Sequence, residues 1–405
     1  MKEYYEFYCP VKLIAGSSAL ENIPFELELL GVERLMVVTD AGVREHGLLA
    51  IIMDVFAAAG RAITCIYDQV PSDSSLAVID EVSRLYRAHH CQAILAVGGG
   101  SVMDTAKLAN ILVSTGSDDL MQFAGAHNLA QSLKPLLVIP TTAGTGSEVT
   151  MVAVVSDTVR QQKIAFVSYH LFPNAAIIDP RMTLTLPPKV TAMTAMDALT
   201  HAIEAYTGLA HNPISDAYAV AAIEKISQHL LPVLERPSDS EGRLHIAQAA
   251  TMAGIAFSNS MVGLVHALGH ALGAVAHLPH GMCMNVFLPY VLAYNLSTDQ
   301  ARIAQLLLPL TNHEVYVKTS PNQRAKAAID TILQLRDEMY ARTGLPRTLQ
   351  ECMTVSQDQF DEISQKAIND GAIIYNHAES DIDDIKQILQ DAWDGQAWRD
   401  RLNKM

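Results

Sequence analysis

The chain has 405 residues, of which 50% are hydrophobic and 18% charged, so it is long enough for two domains and too apolar to be disordered. Its formal net charge of −15 argues against a nucleic acid or an anionic membrane surface as a partner. Five cysteines without a CxxC motif favour a reducing cytoplasm over a disulfide framework or a cysteine zinc site. We therefore expect a cytoplasmic protein with no membrane segment.

In the first 180 residues, short β-branched runs alternate with helical patterns. Residues 4–15 suit an edge strand or a hairpin. Strands are then predicted over residues 34–39, 62–67, 92–97, 135–139 and 175–178, and helices over residues 45–59, 74–88 and 101–113. Apolar runs that are separated by helices are typical of a parallel sheet in a doubly wound, Rossmann-like α/β layer.

After residue 180 the pattern becomes almost entirely helical. Helices are predicted over residues 189–208, 213–231, 240–259, 262–276, 322–343 and 380–393, the last with Ser380 as its N-cap. We therefore predict an α/β domain over residues 1–180 and an all-helical domain over residues 181–405. Ligands are expected in the cleft between them, at the carboxyl ends of the strands.

A glycine-rich turn, Gly98-Gly99-Gly100-Ser101, lies between a predicted strand and a predicted helix. Glycines let the backbone approach a phosphate closely, and a helix N-terminus favours an anion. Ser101 is predicted to cap this helix, and Asp104 to reinforce the cap. The turn is not GxGxxG, so an ordinary βα turn is an equally good interpretation of this segment alone.

A second polar loop, PTTAGTGSE over residues 140–148, follows the strand at 135–139 and brings four hydroxyl side chains together. Such a loop suits a pyrophosphate or a ribose, and two such loops at two strand ends favour a nucleotide. Asp40 ends the strand at 34–39, where a carboxylate can accept from ribose hydroxyls and repel a 2′-phosphate. This favours NAD over NADP, although Asp40 also suits a solvated turn.

Histidines with a helical spacing indicate a metal site in the second half. Asp197 and His201 are four residues apart, as are His266 and His270, and His280 follows where Pro279 and Gly281 predict a loop. From residue 244 to 300 the only formal charge is Asp299, yet the segment holds five histidines: His245, His266, His270, His277 and His280. Buried imidazoles need partners, and an Asp oxygen with imidazole nitrogens suits Fe²⁺ or Zn²⁺.

Together these segments resemble the iron-containing, or group III, alcohol dehydrogenase family. The resemblance rests on GGGSVMDTAK, IPTTAGTGSEVT, MDALTHAIEAY, FSNSMVGLVHALGHALG and LPHGMCMNVFLPYV, in the family's order over nearly the whole chain. It is strongest to the branch that contains lactaldehyde reductase, 1,3-propanediol dehydrogenase and bacterial ethanol or butanol dehydrogenases. It implies an architecture like that of dehydroquinate synthase, and an NAD(H)-linked interconversion of small aliphatic alcohols and aldehydes.

The resemblance also implies roles for individual residues. The family's metal ligands correspond to Asp197, His201, His266 and His280 of this chain. The family residue that lies beside the nicotinamide corresponds to His270. The residues that bind the dinucleotide cofactor in the family correspond to Asp40, Gly98, Gly99, Gly100, Ser101, Thr141, Thr142, Thr145, Ser147 and Lys163. Phe257 corresponds to an aromatic wall of the substrate pocket, and Val152 stands where some relatives have Asn. The expected partners are a small alcohol or aldehyde and further copies of the chain, as a homodimer or larger assembly.

In the expected reaction the metal, Fe²⁺ or alternatively Zn²⁺, is a Lewis acid, hydride moves to or from the nicotinamide, and His270 relays the proton. The metal, the substrate and the physiological direction stay open.

Other functions also stay open at this point. A lyase or synthase like dehydroquinate synthase would need several basic residues, which are scarce near these histidines. A metal-dependent hydrolase would leave both glycine loops unexplained. A non-enzymatic metal- or nucleotide-sensing protein would bind NADH without turnover.

Overall fold

The computed structural model describes residues 4–157, 162–395 and Arg399. The chain forms two compact units. The first, called the α/β unit, consists of Cys9–Thr185 together with Asp239–Gly254. The second, called the helical unit, consists of the described residues of Met1–Tyr8, Leu186–Ser238 and Ile255–Met405. The division into domains at residue 180 stays a prediction.

The strands of the α/β unit form one large and one small sheet. They are β1 (Lys12–Ala15), β2 (Leu35–Thr39), β3 (Cys65–Tyr67), β4 (Ala93–Gly98), β5 (Gly125–Ala126), β6 (Leu136–Pro140), β7 (Val152–Asp157), β8 (Gln162–Val167) and β9 (Ala175–Ile178). The large sheet is parallel with the order β1-β9-β6-β4-β2-β3. The predicted fold class, a parallel α/β sheet followed by a helical region, is confirmed.

Burial explains why the central strands read as unbroken apolar runs. Every residue of β2, β4, β6 and β9 is buried, because helices cover both faces of a doubly wound sheet. The helices of this unit are α1 (Ile23–Leu29), α2 (Ala41–Glu45), α3 (Leu48–Ala58), α4 (Leu76–Ala88) and α5 (Gly100–Thr115). A shared core joins the β2 and β4 side chains to those of α1 and α3.

Three details of the α/β unit differ from the predicted elements. The helix predicted from residue 45 begins only at Leu48, because Gly47 takes the left-handed φ of +76° and separates α2 from α3. Within residues 4–15 the strand is confined to β1, at the edge of the large sheet. The antiparallel pair β7–β8, which forms the small sheet with β5, was absent from the sequence prediction.

The helical unit is built from helices that range in length from four to 26 residues. They are α6 (Pro188–Thr207), α7 (Pro213–Glu235), α9 (Leu264–Ala276), α10 (His280–Gln305), α11 (Leu307–Leu310), α12 (His313–Lys318), α13 (Arg324–Thr343), α14 (Phe360–Ile368) and α15 (Ile382–Asp394). Helix α8 (Ser240–Ser258) contributes residues to both units. Helix α10 packs against α6, α9 and α13.

Two sequence predictions in the helical unit were wrong. His280 is the first residue of α10 and not part of a loop, and Gly281 permits close packing: a Cβ there would lie 2.4 Å from the Met193 carbonyl oxygen. The N-cap of α15 is Asp381 and not Ser380, because the Asp381 carboxylate accepts from the backbone N–H of Asp384.

None of the helices in the described part of the chain has both the length and the apolar character required to cross a membrane. All five cysteines carry free thiols.

Candidate functional site

One helix presents the first two predicted metal ligands. Asp197 and His201 lie on consecutive turns of α6, whose residues from Ala195 to Thr207 are all buried. The i, i+4 spacing places both side chains on one face of the helix. Only 3% of Asp197 and 5% of His201 is exposed, so an acid and a base meet where water cannot solvate them.

The remaining predicted ligands come from two further helices. His266 lies in the first turn of α9 and is 2% exposed, while His280 opens α10 and keeps 40% of its side chain exposed. These side chains and the α6 pair each offer one ligand atom, and the four atoms lie within 4.8 Å of one another. The structure therefore brings together the whole predicted set, although its members lie up to 83 residues apart in sequence.

A single carboxylate oxygen lies at the centre of the cluster. Asp197 Oδ1 is 3.3 Å from His280 Nε2, 3.9 Å from His201 Nδ1 and 4.0 Å from His266 Nε2. Two ligands bound at about 2.1 Å to one tetrahedral ion lie roughly 3.4 Å apart. The spacing thus suits donors that share an ion between them.

Unsatisfied polar atoms test whether a metal fits here. Within the described residues, Asp197 Oδ1, His201 Nδ1 and His266 Nε2 are buried and form no hydrogen bond. A buried polar atom without a partner costs about 1–3 kcal/mol, so three in one cluster indicate a missing partner. Imidazole and carboxylate donors with no thiolate suit Fe²⁺ or Zn²⁺, so the residues fit the metal that the sequence predicts.

Glu204 orients His266 from the side away from the cluster. It lies two turns after Asp197 on α6, and one of its carboxylate oxygens contacts His266 Nδ1 while the other accepts from the backbone N–H of Val265 at 2.6 Å. A carboxylate at Nδ1 fixes the ring so that Nε2 faces the other donors, as is usual for metal-binding histidines.

Burial and mutual charge set the protonation states of the cluster. Burial lowers the pKa of His201 to about 3, although Asp197 opposes the shift, so the imidazole is neutral at pH 7. The pKa of His266 is also well below its usual value, chiefly because of burial. For Asp197 burial would raise the pKa, but the surrounding histidines lower it overall, so the carboxylate is ionised. Neutral imidazoles and an ionised carboxylate are the forms that bind metal.

Burial also raises the pKa of the Glu204 carboxyl to about 7, against the lowering effect of backbone N–H groups of Gly263 and Val265. The group that orients His266 is therefore more readily protonated than an exposed glutamate.

His270 lies beside the cluster and is not a member of it. Its ring stacks on His280 with centroids 5.3 Å apart and meets His266 edge-on at 5.8 Å. Its Nδ1 lies 2.9 Å from a carboxylate oxygen of Asp370, and 45% of its side chain is exposed. Phe257, the predicted pocket wall, stacks on His201 at 4.3 Å and so borders the same cluster.

The two predicted cofactor loops meet within the α/β unit. They follow β4 and β6, which are neighbours in the sheet, and the backbone N–H of Thr141 donates to the Gly98 carbonyl at 3.1 Å. A Cβ at Gly99 would lie 3.3 Å from Thr142 Oγ1, and one at Gly100 would lie 3.1 Å from Thr145 Cγ2. The hydroxyl groups of the second loop therefore lie directly beside the glycine turn.

The capping of α5 differs from the prediction. Gly99 is the N-cap and carries no side chain, while the Ser101 hydroxyl donates to the Ser72 carbonyl. Asp104 is turned inward, where its two oxygens accept from the Ser147 hydroxyl at 2.9 Å and from the backbone N–H of Val154 at 3.1 Å. Within the described part of the chain, no side chain therefore caps this helix end, whose first N–H groups lack intrahelical partners.

A buried lysine, which sequence reasoning missed, holds the second loop in place. Lys107 Nζ lies 2.7 Å from the Ser147 carbonyl, 2.9 Å from the Thr150 carbonyl and 3.0 Å from the Val152 carbonyl. It also contacts the hydroxyls of Ser147 and Thr150. The Ser147 hydroxyl is thus used inside the unit, and its role toward a cofactor stays a prediction. In the sequence, Lys107 looks like any polar residue of an amphipathic helix.

The remaining predicted contacts are more exposed. Asp40 caps α2, with one oxygen accepting from the Val43 N–H at 2.9 Å. Lys163 extends from β8 and lies 3.6 Å from an oxygen of Asp73. Val152 begins β7 and is half-buried, with its carbonyl accepting from Lys107.

Comparison with known proteins covers both halves of the chain. Residues 10–180 match the family described as iron-containing alcohol dehydrogenase, and residues 191–393 match the C-terminal part of the Fe-containing alcohol dehydrogenase family.

Individual relatives match over almost their whole length. An NAD-dependent methanol dehydrogenase of Bacillus methanolicus is 32% identical over 95% of this chain and 99% of its own length. An NADPH-dependent butanol dehydrogenase of Clostridium saccharobutylicum is 31% identical over 95% of this chain and 97% of its own. The crystal structure of a 1,3-propanediol oxidoreductase superposes with a TM-score of 0.91 at 31% identity, covering 96% of this chain and 100% of that one.

Proposed function

Because the chain belongs to the iron-containing alcohol dehydrogenase family, and is therefore a metal-dependent oxidoreductase of alcohols and aldehydes, we propose that it uses NAD(H) rather than NADP(H) and acts on a short aliphatic substrate. The observation that carries the site assignment is the convergence of four donor side chains, three of them with buried unpartnered atoms, on one point in the helical unit.

In this proposal Fe²⁺, or alternatively Zn²⁺, is held by Asp197, His201, His266 and His280. When bound, the ion would supply a Lewis acid for the substrate oxygen, and the nicotinamide would accept or give the hydride. Glu204 keeps His266 in the orientation that binding requires. Phe257 provides an apolar wall beside His201, which favours a small aliphatic substrate.

The α/β unit binds the dinucleotide. Gly98 to Ser101 leave the N-terminus of α5 without a side-chain cap, so its N–H groups and dipole suit the pyrophosphate. The adjoining loop contributes four hydroxyl side chains, from Thr141, Thr142, Thr145 and Ser147. Lys163 offers a positive charge. The second oxygen of Asp40 would accept from the ribose hydroxyls of a bound dinucleotide and would disfavour a 2′-phosphate.

His270 relays the proton. Its ring lies beside the cluster but keeps access to solvent, which proton exchange requires.

The cellular setting is proposed as well. Five free thiols are consistent with the cytoplasm. The edge strand β1, with Leu13 exposed, offers a surface for self-association into a homodimer or a larger homo-oligomer.

Alternative functions make different predictions. A synthase that uses NAD transiently would show no net loss of NADH, and a hydrolase would not need the nucleotide. Among the described residues, the charged groups that contact His266, His270 and His280 are acidic: Asp197, Glu204 and Asp370. Acidic surroundings do not suit the phosphorylated substrates of a synthase.

The function is tested on a panel of short aldehydes with NADH, after anaerobic loading with Fe²⁺ or, separately, with Zn²⁺. We expect NADH absorbance to fall in proportion to the aldehyde reduced. The variant His266→Ala should lose bound metal and turnover but still bind NADH. His277→Asn is the matched control, since His277 is an exposed histidine with a left-handed φ that Asn also adopts, and it lies outside the cluster.

Full activity in a metal-loaded His266→Ala protein would contradict the ligand assignment. NADH binding without turnover on any member of the panel would favour a sensing protein instead.

A further inference from the structure

His270 has a carboxylate partner that lies 100 residues away in the sequence. Its Nδ1 is 2.9 Å from Asp370 Oδ2, a distance at which the imidazole N–H donates to a carboxylate. Asp370 is neither a donor of the metal cluster nor part of either cofactor loop. The contact therefore requires an explanation of its own.

The two carboxylate oxygens of Asp370 contact different groups. While Oδ2 lies against His270, Oδ1 accepts from the backbone N–H of Ala372 at 2.8 Å and caps the 3₁₀ turn Gly371–Tyr375. A carboxylate that is held by a backbone N–H has little freedom to rotate. The imidazole thus meets an acceptor whose position is set by the chain itself.

The segment that carries Asp370 is tied to the helices around it. The backbone N–H of Leu209 donates to the Tyr375 carbonyl at 2.9 Å. Asn376 and Asn295 exchange two amide hydrogen bonds, of 2.9 and 3.0 Å, and both side chains are buried. One anchor is the last residue of the 3₁₀ turn and the other follows it directly, and the turn itself packs against α9.

Two carboxylate–imidazole pairs stand side by side in this unit, and their surroundings differ. In the Glu204–His266 pair the imidazole is 2% exposed and its second nitrogen points into the donor cluster. In the Asp370–His270 pair, 45% of the His270 side chain is exposed and the ring only flanks the cluster. The first arrangement suits metal binding, and the second suits exchange of a proton with solvent or substrate.

We propose that Asp370 is a positioning residue for His270, which holds the proton on Nδ1 and so leaves Nε2 as the nitrogen that takes part in proton relay. The inference rests on the proposed function, in which His270 relays the proton. In alcohol oxidation the substrate O–H bond breaks, and its proton forms an N–H bond at Nε2, directly or through water, before it leaves to solvent. The carbinol C–H bond also breaks, its hydride would pass to NAD⁺, and the C–O bond becomes the C=O bond of the aldehyde. Reduction is the reverse.

The first test is a double-mutant cycle on the metal-loaded enzyme. Asp370→Ala should lower kcat roughly tenfold to hundredfold, within the range of general acid–base catalysis, while KM stays within about twofold. In a His270→Gln background the same change should have no further effect on kcat, because the residue that Asp370 positions is already absent. Asp370→Glu should restore part of the activity.

A matched control separates positioning from a loss of capping. Asp381 caps α15 with its carboxylate and, like Asp370, accepts from a nearby backbone N–H. Asp381→Asn should leave kcat unchanged. If Asp370→Ala does not fold, Asp370→Asn keeps the size and an oxygen for the cap but removes the charge, and it should lower kcat at least several-fold.

The second readout does not depend on activity. In protein labelled with ¹⁵N-histidine and freed of metal by a chelator, the His270 imidazole should carry its proton on Nδ1 in the wild type. In Asp370→Ala it should shift toward Nε2–H. This result would hold even if the aldehyde panel failed, so it distinguishes the inference from the proposed function.

Two results would overturn the proposal: equal losses of kcat from Asp370→Ala with and without His270, or an Nε2–H tautomer in the wild type.

Discussion

At the residue scale, the site depends on side chains whose partners are far apart in sequence. The spacing of four predicts which histidines share a helix face with Asp197 or with one another, and the structure brings the predicted ligands together. The spacing does not predict that Asp370 contacts His270, because no local pattern links residues 100 positions apart. Sequence reasoning therefore predicted the donors of the cluster more completely than the groups that orient its neighbours.

Asp40 carries the prediction for cofactor choice. Removing its charge should relieve repulsion of a 2′-phosphate and raise kcat/KM for NADPH relative to NADH by about tenfold, equivalent to about 1.4 kcal/mol. Both Asp40→Gly and Asp40→Asn should show this, and Asn should also keep the cap that Val43 N–H now uses. Steady-state kinetics with both cofactors measures the ratio. An unchanged ratio in both variants would show that Asp40 does not contact the ribose.

At the element scale, the second cofactor loop is shaped by close contact with a helix. Gly146 has a φ of +62°, and a Cβ there would lie 2.5 Å from the Gly254 Cα on α8. Thr251, one turn earlier on α8, donates to the buried Glu148 of the same loop at 2.8 Å. Parallel strands and long helices were predictable from apolar periodicity, but this contact was not, since periodicity does not show which loop meets which helix.

Gly146→Ala tests the contact between the loop and α8. Gly116→Ala is its matched control, because Gly116 also has a left-handed φ, +73°, but a Cβ there would have no non-neighbouring atom of the described residues within 4 Å. Backbone strain should lower the free energy of unfolding of both variants by about 1–2 kcal/mol. Gly146→Ala should lose about a further 1–3 kcal/mol of unfolding free energy from the clash, and its KM for NADH should rise. Urea denaturation measures the difference, and equal losses in the two variants would contradict the close approach.

At the scale of the whole molecule, the acidic charge and the ligand set have separate consequences. The net charge of −15 disfavours polyanionic partners but does not define the fold. The four candidate ligands all come from the helical unit, so metal binding should add stability to that unit in particular. The gain follows mass action and amounts to about 4 kcal/mol when free metal exceeds its Kd a thousandfold.

Calorimetry of metal-loaded and chelated protein at pH 7 measures this gain, which His266→Ala should lack. The gain should persist on acidification toward pH 5, because the low pKa of His201, about 3, and the lowered pKa of His266 keep these buried imidazoles neutral and available to the metal. In the chelated protein the lowered pKa of His201, about 3, favours the unfolded state as the pH falls below 6.5, because the unfolded chain takes up the proton first. The raised pKa of Glu204, about 7, acts in the opposite direction over pH 7 to 4.5. A metal gain that disappears between pH 7 and pH 5 would contradict these low pKa values of the buried imidazoles.

The α/β unit is built from two separate stretches of the chain, so it cannot be produced as one continuous fragment without other residues. The α/β unit takes in Asp239–Gly254, a stretch that follows it by more than fifty residues and supplies both Gly254 and Thr251 to the loop after β6. A recombinant fragment that stops at Thr185 would lack that stretch and expose the underside of the loop to solvent. A fragment of the α/β unit for NMR or biosensor tests of cofactor binding should therefore carry Asp239–Gly254 spliced behind Thr185, or receive it as a separate synthetic peptide.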